Sequence, residues 1–244
     1  KDALDAAATG SEVWIAAGVY RPNRDSHGNP TPADPRTRTF AIPPGVSVYG
    51  GFEGREVRRD QKNPRRNCTR LSGETLAPES MDDNCYHVVT GGDNALLGGC
   101  VIGDGNAFGA AMPQGGGVLH TDGLFRLEDC IFVKNTGESG GGLAVSDGGT
   151  AAVTRSEFIG NTATQGGALC ASAGGEIRLD NAVLFRNDAL TSGGALWVDQ
   201  ARASVTNCTI GGNTAAEGGG IGAANGDRLA VTNTIIWGNL ADAL

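Results

Sequence analysis

Aromatic residues make up only 5% of these 244 residues and charged residues only 19%. So little of either argues against long helices and ordinary α/β layering as the main architecture. No apolar run approaches the ~18 residues that a membrane helix needs, so direct membrane insertion is not expected. A leader with charged, apolar and small-residue regions is also missing from the first residues. Histidine occurs three times, as His27, His87 and His120, in unrelated contexts. HExxH, CxxC and Walker-type loops do not occur, so no metal and no cofactor is expected. Basic charge is in deficit, with 19 Lys and Arg against 27 Asp and Glu and a formal net charge of −8. Nucleic acid is therefore an unfavourable partner. Seven of the basic residues (Arg55, Arg58, Arg59, Lys62, Arg65, Arg66, Arg70) fall in one short segment. That segment reads first as a solvated loop and second as a contact for an anion or an acidic polysaccharide.

Glycine is abundant, at 40 residues, and it is arranged periodically. Asn135, Asn161, Asn187, Asn213 and Asn239 are each 26 residues apart, and three positions before them stand Phe132, Phe158, Leu184, Ile210 and Ile236. A glycine pair precedes each unit, as in "GGGLA" from Gly140, "GGALC" from Gly166 and "GGALW" from Gly193. The glycine spacing wobbles between 25 and 27 residues while the asparagine spacing does not, so insertions lie between the two signals. Further columns keep the same register: Leu127, Val153, Leu179, Val205 and Val231, then Cys130, Ser156, Ala182, Cys208 and Thr234.

Each unit thus holds about three short segments of period-2 alternation separated by turn residues, and no helical i, i+3, i+4, i+7 pattern. A parallel β-helix with about three strands per coil satisfies this pattern. Coils stacked about 4.8 Å apart turn each column into a ladder of like side chains. The five asparagines are read as structural corners, where left-handed backbone is tolerated and stacked amides bond from coil to coil.

The paired signals GG(A/L/I) and FxxN, as in "GGALC" with "FIGN" and "GGGLA" with "FVKN", resemble the repeats of chlamydial polymorphic outer-membrane proteins. They are also similar to other bacterial surface proteins of the pectin-lyase-like superfold. "DALDAAATGSEVWIAAGVYRP", "TFAIPPGVSVYGGFEGRE", "LSGE" and "NCYHVV" resemble the N-terminal module of those proteins in order and wording. The resemblance implies an all-β, single-stranded right-handed parallel β-helix spanning residues 1–244 as one domain. Residues 1–114 would hold a capping helix (1 to about 9) and irregular early coils, and residues 115–242 five regular coils. It also implies an extracellular or cell-surface location. "KDALDAAATG" reads as the inside of a helix and "NLADAL" ends without an evident cap, so further domains of a longer parent chain, with any export signal, are expected.

The same fold hosts pectate lyases and polygalacturonases, and the latter's "NTD", "GHG" and "RIK" signals do not occur here. A lyase needs several carboxylates and a basic residue converging on one face. The best local set is Asp180 and Glu128 beside Arg178 and Arg126, read first as surface salt bridges and second as a groove. His87 and His120 read as packed or hydrogen-bonded rather than catalytic. No catalytic residue is assigned.

Among six cysteines, Cys100 and Cys130 fall in one interior column and read as free thiols, whereas Cys68 and Cys85 are the best candidates for a disulfide. Outward columns contain Phe185, Trp197 and Trp237, which either pack under a loop or make contacts. Trp197 is the first choice, as an aromatic among small residues.

The reading that follows is a noncatalytic, exported bacterial module that presents an adhesin-like binding surface or serves as a structural spacer. Its partners would be a polysaccharide or a protein on a host or neighbouring cell, touched through Trp197, Phe185, Trp237, Arg178 and Asp180. The alternative is a polysaccharide lyase or glycoside hydrolase with a site in a lateral groove. Ice binding is a third, weaker idea: Thr154, Thr206 and Thr232 share a column, but Glu128 and Asp180 interrupt it.

Overall fold

A computed structural model describes residues 3–75, 80–111, 113–224 and 228–241. The chain is an all-β parallel solenoid in which four sheets run along the axis. The first sheet has eight strands, from Glu12–Ala16 to Arg228–Thr232, and the second has eight, from Gly18–Tyr20 to Ile235–Trp237. A third has five, from Thr136–Ser139 to Leu240–Ala241, and the fourth has seven, from Phe40–Ile42 to Ile221–Ala223. Regular coils therefore carry a fourth short strand beyond the three that the alternation shows. It lies between the corner asparagine and the glycine pair, in stretches such as Thr136–Ser139 and Thr162–Gln165. Turn signals crowd both of its ends, so its extended backbone is hard to read from sequence.

The 26-residue period is the stacking register. Phe132 pairs with Phe158, Phe158 with Leu184, Leu184 with Ile210 and Ile210 with Ile236. The wobble in glycine spacing is absorbed in the third sheet. Ala163 pairs with Ala189 but Gln165 with Ser192, an irregularity that leaves Leu190 72% exposed. An extra residue there disturbs no core column, because the chain rejoins the register at Leu169 against Leu196.

The interior is a narrow apolar stack. The rings of Phe132 and Phe158 lie parallel with centroids 4.3 Å apart, and Leu184 and Ile210 continue the column without exposure. Burying each such side chain contributes roughly 1.5–3 kcal/mol. Close packing also dictates at least one glycine: a Cβ on Gly91 would lie 2.5 Å from the Phe125 ring.

The N-terminal helix is shorter than expected. It is a single turn, Ala3–Ala6, from which Leu4 and the following Ala7 reach the edge of the core. Residues 1 and 2 of the expected cap, and 242 at the end of the last expected coil, lie outside the described residues.

Candidate functional site

The five corner asparagines form one ladder. Nδ2 of Asn135, Asn161, Asn187 and Asn213 each donates to Oδ1 of the asparagine 26 residues on, at 2.8–3.0 Å. Their backbone N–H groups donate to the same oxygens, and each Nδ2 also reaches a carbonyl of the preceding coil, such as Ile102 O or Phe132 O. Asn135, Asn161, Asn187 and Asn213 are buried, and Asn239 in the last coil is half-buried. Left-handed backbone is not their property. It lies one residue earlier, at Lys134, Gly160, Arg186, Gly212 and Gly238, with φ between 55° and 63°. Positive φ occurs instead at Asn181, Asn207 and Asn233, at the corner between the first and second sheets, and at Asn94, before the first-sheet strand Ala95–Gly98. The ladder positions thus need an amide that can donate and accept in the interior.

A second inner ladder explains the small-residue column. Cys130, Ser156, Cys208 and Thr234 each turn the side-chain sulfur or hydroxyl onto the carbonyl two residues back, at 2.9–3.3 Å. Backbone N–H groups of Cys130 and Cys208 donate to the oxygens of Ser156 and Thr234 on the next coil. Cys100 and Cys130 are free buried thiols. The Cys68–Cys85 pairing expected from sequence is not present, and both are free. The strand Thr69–Ser72 separates them. Cys68 O accepts from Gly18 N at the start of that strand, while Cys85 N donates to Gly73 O just past its end. Burial pushes the thiols of Cys85, Cys130 and Cys170 up to about 12.

On the outer face of the first sheet, the strand Thr150–Thr154 lies between the two charged pairs. Ala152 therefore separates Arg126 from Arg178, and Thr154 separates Glu128 from Asp180. Arg178 turns away from Asp180 and donates to Glu176 at 2.7 Å, which holds the Glu176 carboxyl below its ordinary range. Asp180 accepts from the amides of Asn181 and Asn207. Arg155 bridges Glu128 and Asp129. Arg178 and Asp180 are thus engaged with different partners rather than with each other. Among the described residues, no three of His, Cys, Asp and Glu gather as metal ligands would.

The basic segment is an excursion strapped to the early coils. Arg59 pairs with Glu12 and donates to the Tyr49 hydroxyl, Lys62 reaches Asp129 and Arg70 pairs with Asp104. His87, half-buried, faces Gly115 O, and His120, buried, faces Gly91 O and Gly123 O.

Trp197 is not an open contact. It is half-buried in a column with Leu119, Ala144 and Cys170, which are buried. The glycine turns between the third and fourth sheets close over this column: a Cβ at Gly166 would lie 3.1 Å from Trp197 Cβ. The indole packs over Gly222, and its Nε1 is enclosed without a partner. Phe185 is also half-buried, whereas Trp237 stands open. They share an outward column of the second sheet with Gly211 between them. Trp237 is 59% exposed. The Arg186 guanidinium lies 5.0 Å from the centre of the Phe185 ring. Arg186 and Lys134 were not singled out from sequence, although both stand directly before a corner asparagine and the 26-residue period marks them as one column.

Residues 155–172 match the family model described as Chlamydia polymorphic membrane protein (Chlamydia_PMP) repeat. The matched stretch runs from the first-sheet corner at Arg155 through the Asn161 corner to the fourth-sheet strand Leu169–Ser172. The chain carries a repeat of this kind on a parallel solenoid, a combination that fits a bacterial β-helix surface protein. Neither a curated protein nor a solved structure matches the chain.

Proposed function

We propose that this chain is a noncatalytic module of an exported bacterial cell-surface protein, presenting the flank of its solenoid as an adhesin-like binding surface or holding other domains at a distance as a spacer. The observation that carries this reading is the surface-protein repeat at residues 155–172, set in a stack whose first sheet pairs Arg155 and Arg178 with neighbouring carboxylates. Ladders of buried amides, small polar residues and aliphatic side chains build a stiff rod, and a stiff rod suits display. The partner is a polysaccharide or a protein on a host or neighbouring cell.

The test uses the full-length gene in its own host. Protease treatment of intact cells, followed by an antibody against residues 115–224, should remove the signal without cell lysis. A signal protected until lysis would overturn surface display. Incubating the purified chain with uronic-acid and neutral polysaccharides should release no new chain ends. Cleavage that disappears in Asp180→Asn or Arg178→Gln would replace this reading with the lyase or hydrolase.

A further inference from the structure

The corner between the second and third sheets differs from the rest of the surface. Its residues directly before the asparagines run along the axis as Lys134, Gly160, Arg186, Gly212 and Gly238, all left-handed. Lys134 and Arg186 are exposed. Neither forms an ion pair among the described residues, unlike Arg155 and Arg178 on the first sheet. They are two coils apart, about 10 Å at the spacing of stacked parallel strands. Beside them runs the outward column Val133, Ile159, Phe185, Gly211 and Trp237.

Phe185 and Trp237 are also two coils apart, and both rings lean towards the glycine step between them. A Cβ at Gly211 would lie 3.0 Å from Trp237 Nε1, and one at Gly212 would lie 3.3 Å from the Phe185 ring. The missing side chains let the two rings settle towards one strip, with the Arg186 guanidinium against the first ring. Around Gly160 and Gly238 the space is open. The result is a line of cation, notch, cation with aromatic ring, notch and aromatic ring along the solenoid axis.

We propose that this strip binds an acidic polysaccharide lying parallel to the axis, its ring faces on Phe185 and Trp237 and its carboxylate or sulfate groups on Lys134 and Arg186. The inference deepens the binding-surface reading and rests on it. The interval between the two cations is close to the length of a disaccharide unit, so anionic groups two rings apart on one chain can meet both. Guanidinium binds such groups through paired hydrogen bonds. Sugar C–H faces pack against the electron-rich faces of aromatic rings. A net charge of −8 repels such a ligand elsewhere, so attraction is confined to where carboxylates are sparse. On the outward face of the second sheet the nearest carboxylate is Glu157, one column further from the corner, between Ile131 and Val183. Asp188, just past the asparagine, is engaged with the Thr214 hydroxyl.

The test measures binding of the purified chain to sodium polygalacturonate, dextran sulfate and uncharged dextran by calorimetry and tryptophan fluorescence. Binding to at least one anionic polymer and none to dextran is expected, and which polymer binds distinguishes carboxylate from sulfate. Lys134→Gln with Arg186→Gln should weaken affinity about tenfold, the effect of losing one or more charge-assisted hydrogen bonds. Trp237→Ala should weaken it and remove the fluorescence change, and Glu157→Gln should strengthen it. Arg202→Gln with Arg228→Gln, on the first sheet, should have no effect. These side chains are exposed, and unchanged thermal unfolding confirms that each variant folds. Equal binding to dextran, equal loss in the first-sheet variant or no binding to either anionic polymer overturns the proposal. If the protein is displayed on intact cells and no anionic polymer binds, this inference fails while the surface reading stands. If anionic polymers bind but display fails, the surface reading falls instead.

Discussion

Asn187 Nδ2 donates to Asn213 Oδ1 at 3.0 Å, and Asn187 Oδ1 accepts from Asn161 Nδ2 at the same distance. One amide therefore bonds to the coils on both sides, and it also donates to Phe158 O and accepts from Asn161 N–H. All of this occurs without exposure to water. Asn187→Ala leaves the Asn161 N–H unpaired in the interior and takes one partner each from Asn161 Nδ2, Asn213 Oδ1 and the Phe158 carbonyl. At roughly 1–3 kcal/mol for each such group, the loss is on the order of 3 kcal/mol. Asn187→Asp keeps the shape and the acceptor but removes the donor and buries a charge, so it should be no milder. Urea unfolding of both variants checks this. A change below about 1 kcal/mol for Asn187→Ala would mean that the ladder is not a source of cohesion.

The fold was legible because stacking turns a local pattern into a long-range one. A fixed interval between asparagines is the register itself, so Leu127, Val153 and Leu179 could be placed in one column from sequence alone, and they pair so. What stayed hidden depends on the shape of the corners. The fourth strand lies wholly between turn signals. Trp197 alternates as an outward residue should, yet the glycine turns fold over its column and enclose it. Cys68 and Cys85 each precede a strand-like run, but the path of the chain puts them at opposite ends of one strand. For the candidate site, the outward column that holds Phe185 and Trp237 was readable. The cations beside it are hard to read from the period because Lys134 and Arg186 alternate with glycine in their column.

The cysteines give a chemical count of the same geometry. Cys68 is exposed, and the other five thiols are buried. Reaction with iodoacetamide near neutral pH requires both access and thiolate, and the buried thiols of Cys85, Cys130 and Cys170 are pushed up to about 12. In the native chain Cys68 should be labelled quickly and the other five only on unfolding, as mass spectrometry would show. Reducing agent should leave the unfolding temperature unchanged. A native protein in which Cys68 is blocked until reduced would restore the disulfide.

Glu56 links the basic excursion to acid stability. Its carboxylate accepts from the backbone N–H groups of Glu53, Gly54 and Arg55 at 2.7–3.0 Å. These bonds, with Glu53 the largest contributor, lower its pKa from 4.5 to about 2. A lowered folded value means stabilisation that is complete above 4.5 and is lost as pH falls towards 2. Proteolysis within residues 53–67 should therefore rise over that interval, and Glu56→Gln should flatten the rise. An identical pH profile in the variant would remove Glu56 from the account.

His87 acts in a higher window with the same sign. Burial is the main cause that lowers its pKa, opposed by hydrogen bonding to the carbonyls of Gly115 and Gln114. The folded chain thus favours the neutral ring, while the unfolded chain takes up a proton near the ordinary histidine value of about 6.5. Stability from this site is complete above that value and declines as pH falls below it, until the folded ring is itself protonated. His87→Gln keeps a donor for Gly115 O, 3.1 Å from the ring in the native chain, and removes the titration. Unfolding free energies measured between about pH 5.5 and 7.5 should slope upward with pH in the native protein and less so in the variant. Equal slopes would assign that pH dependence to other groups.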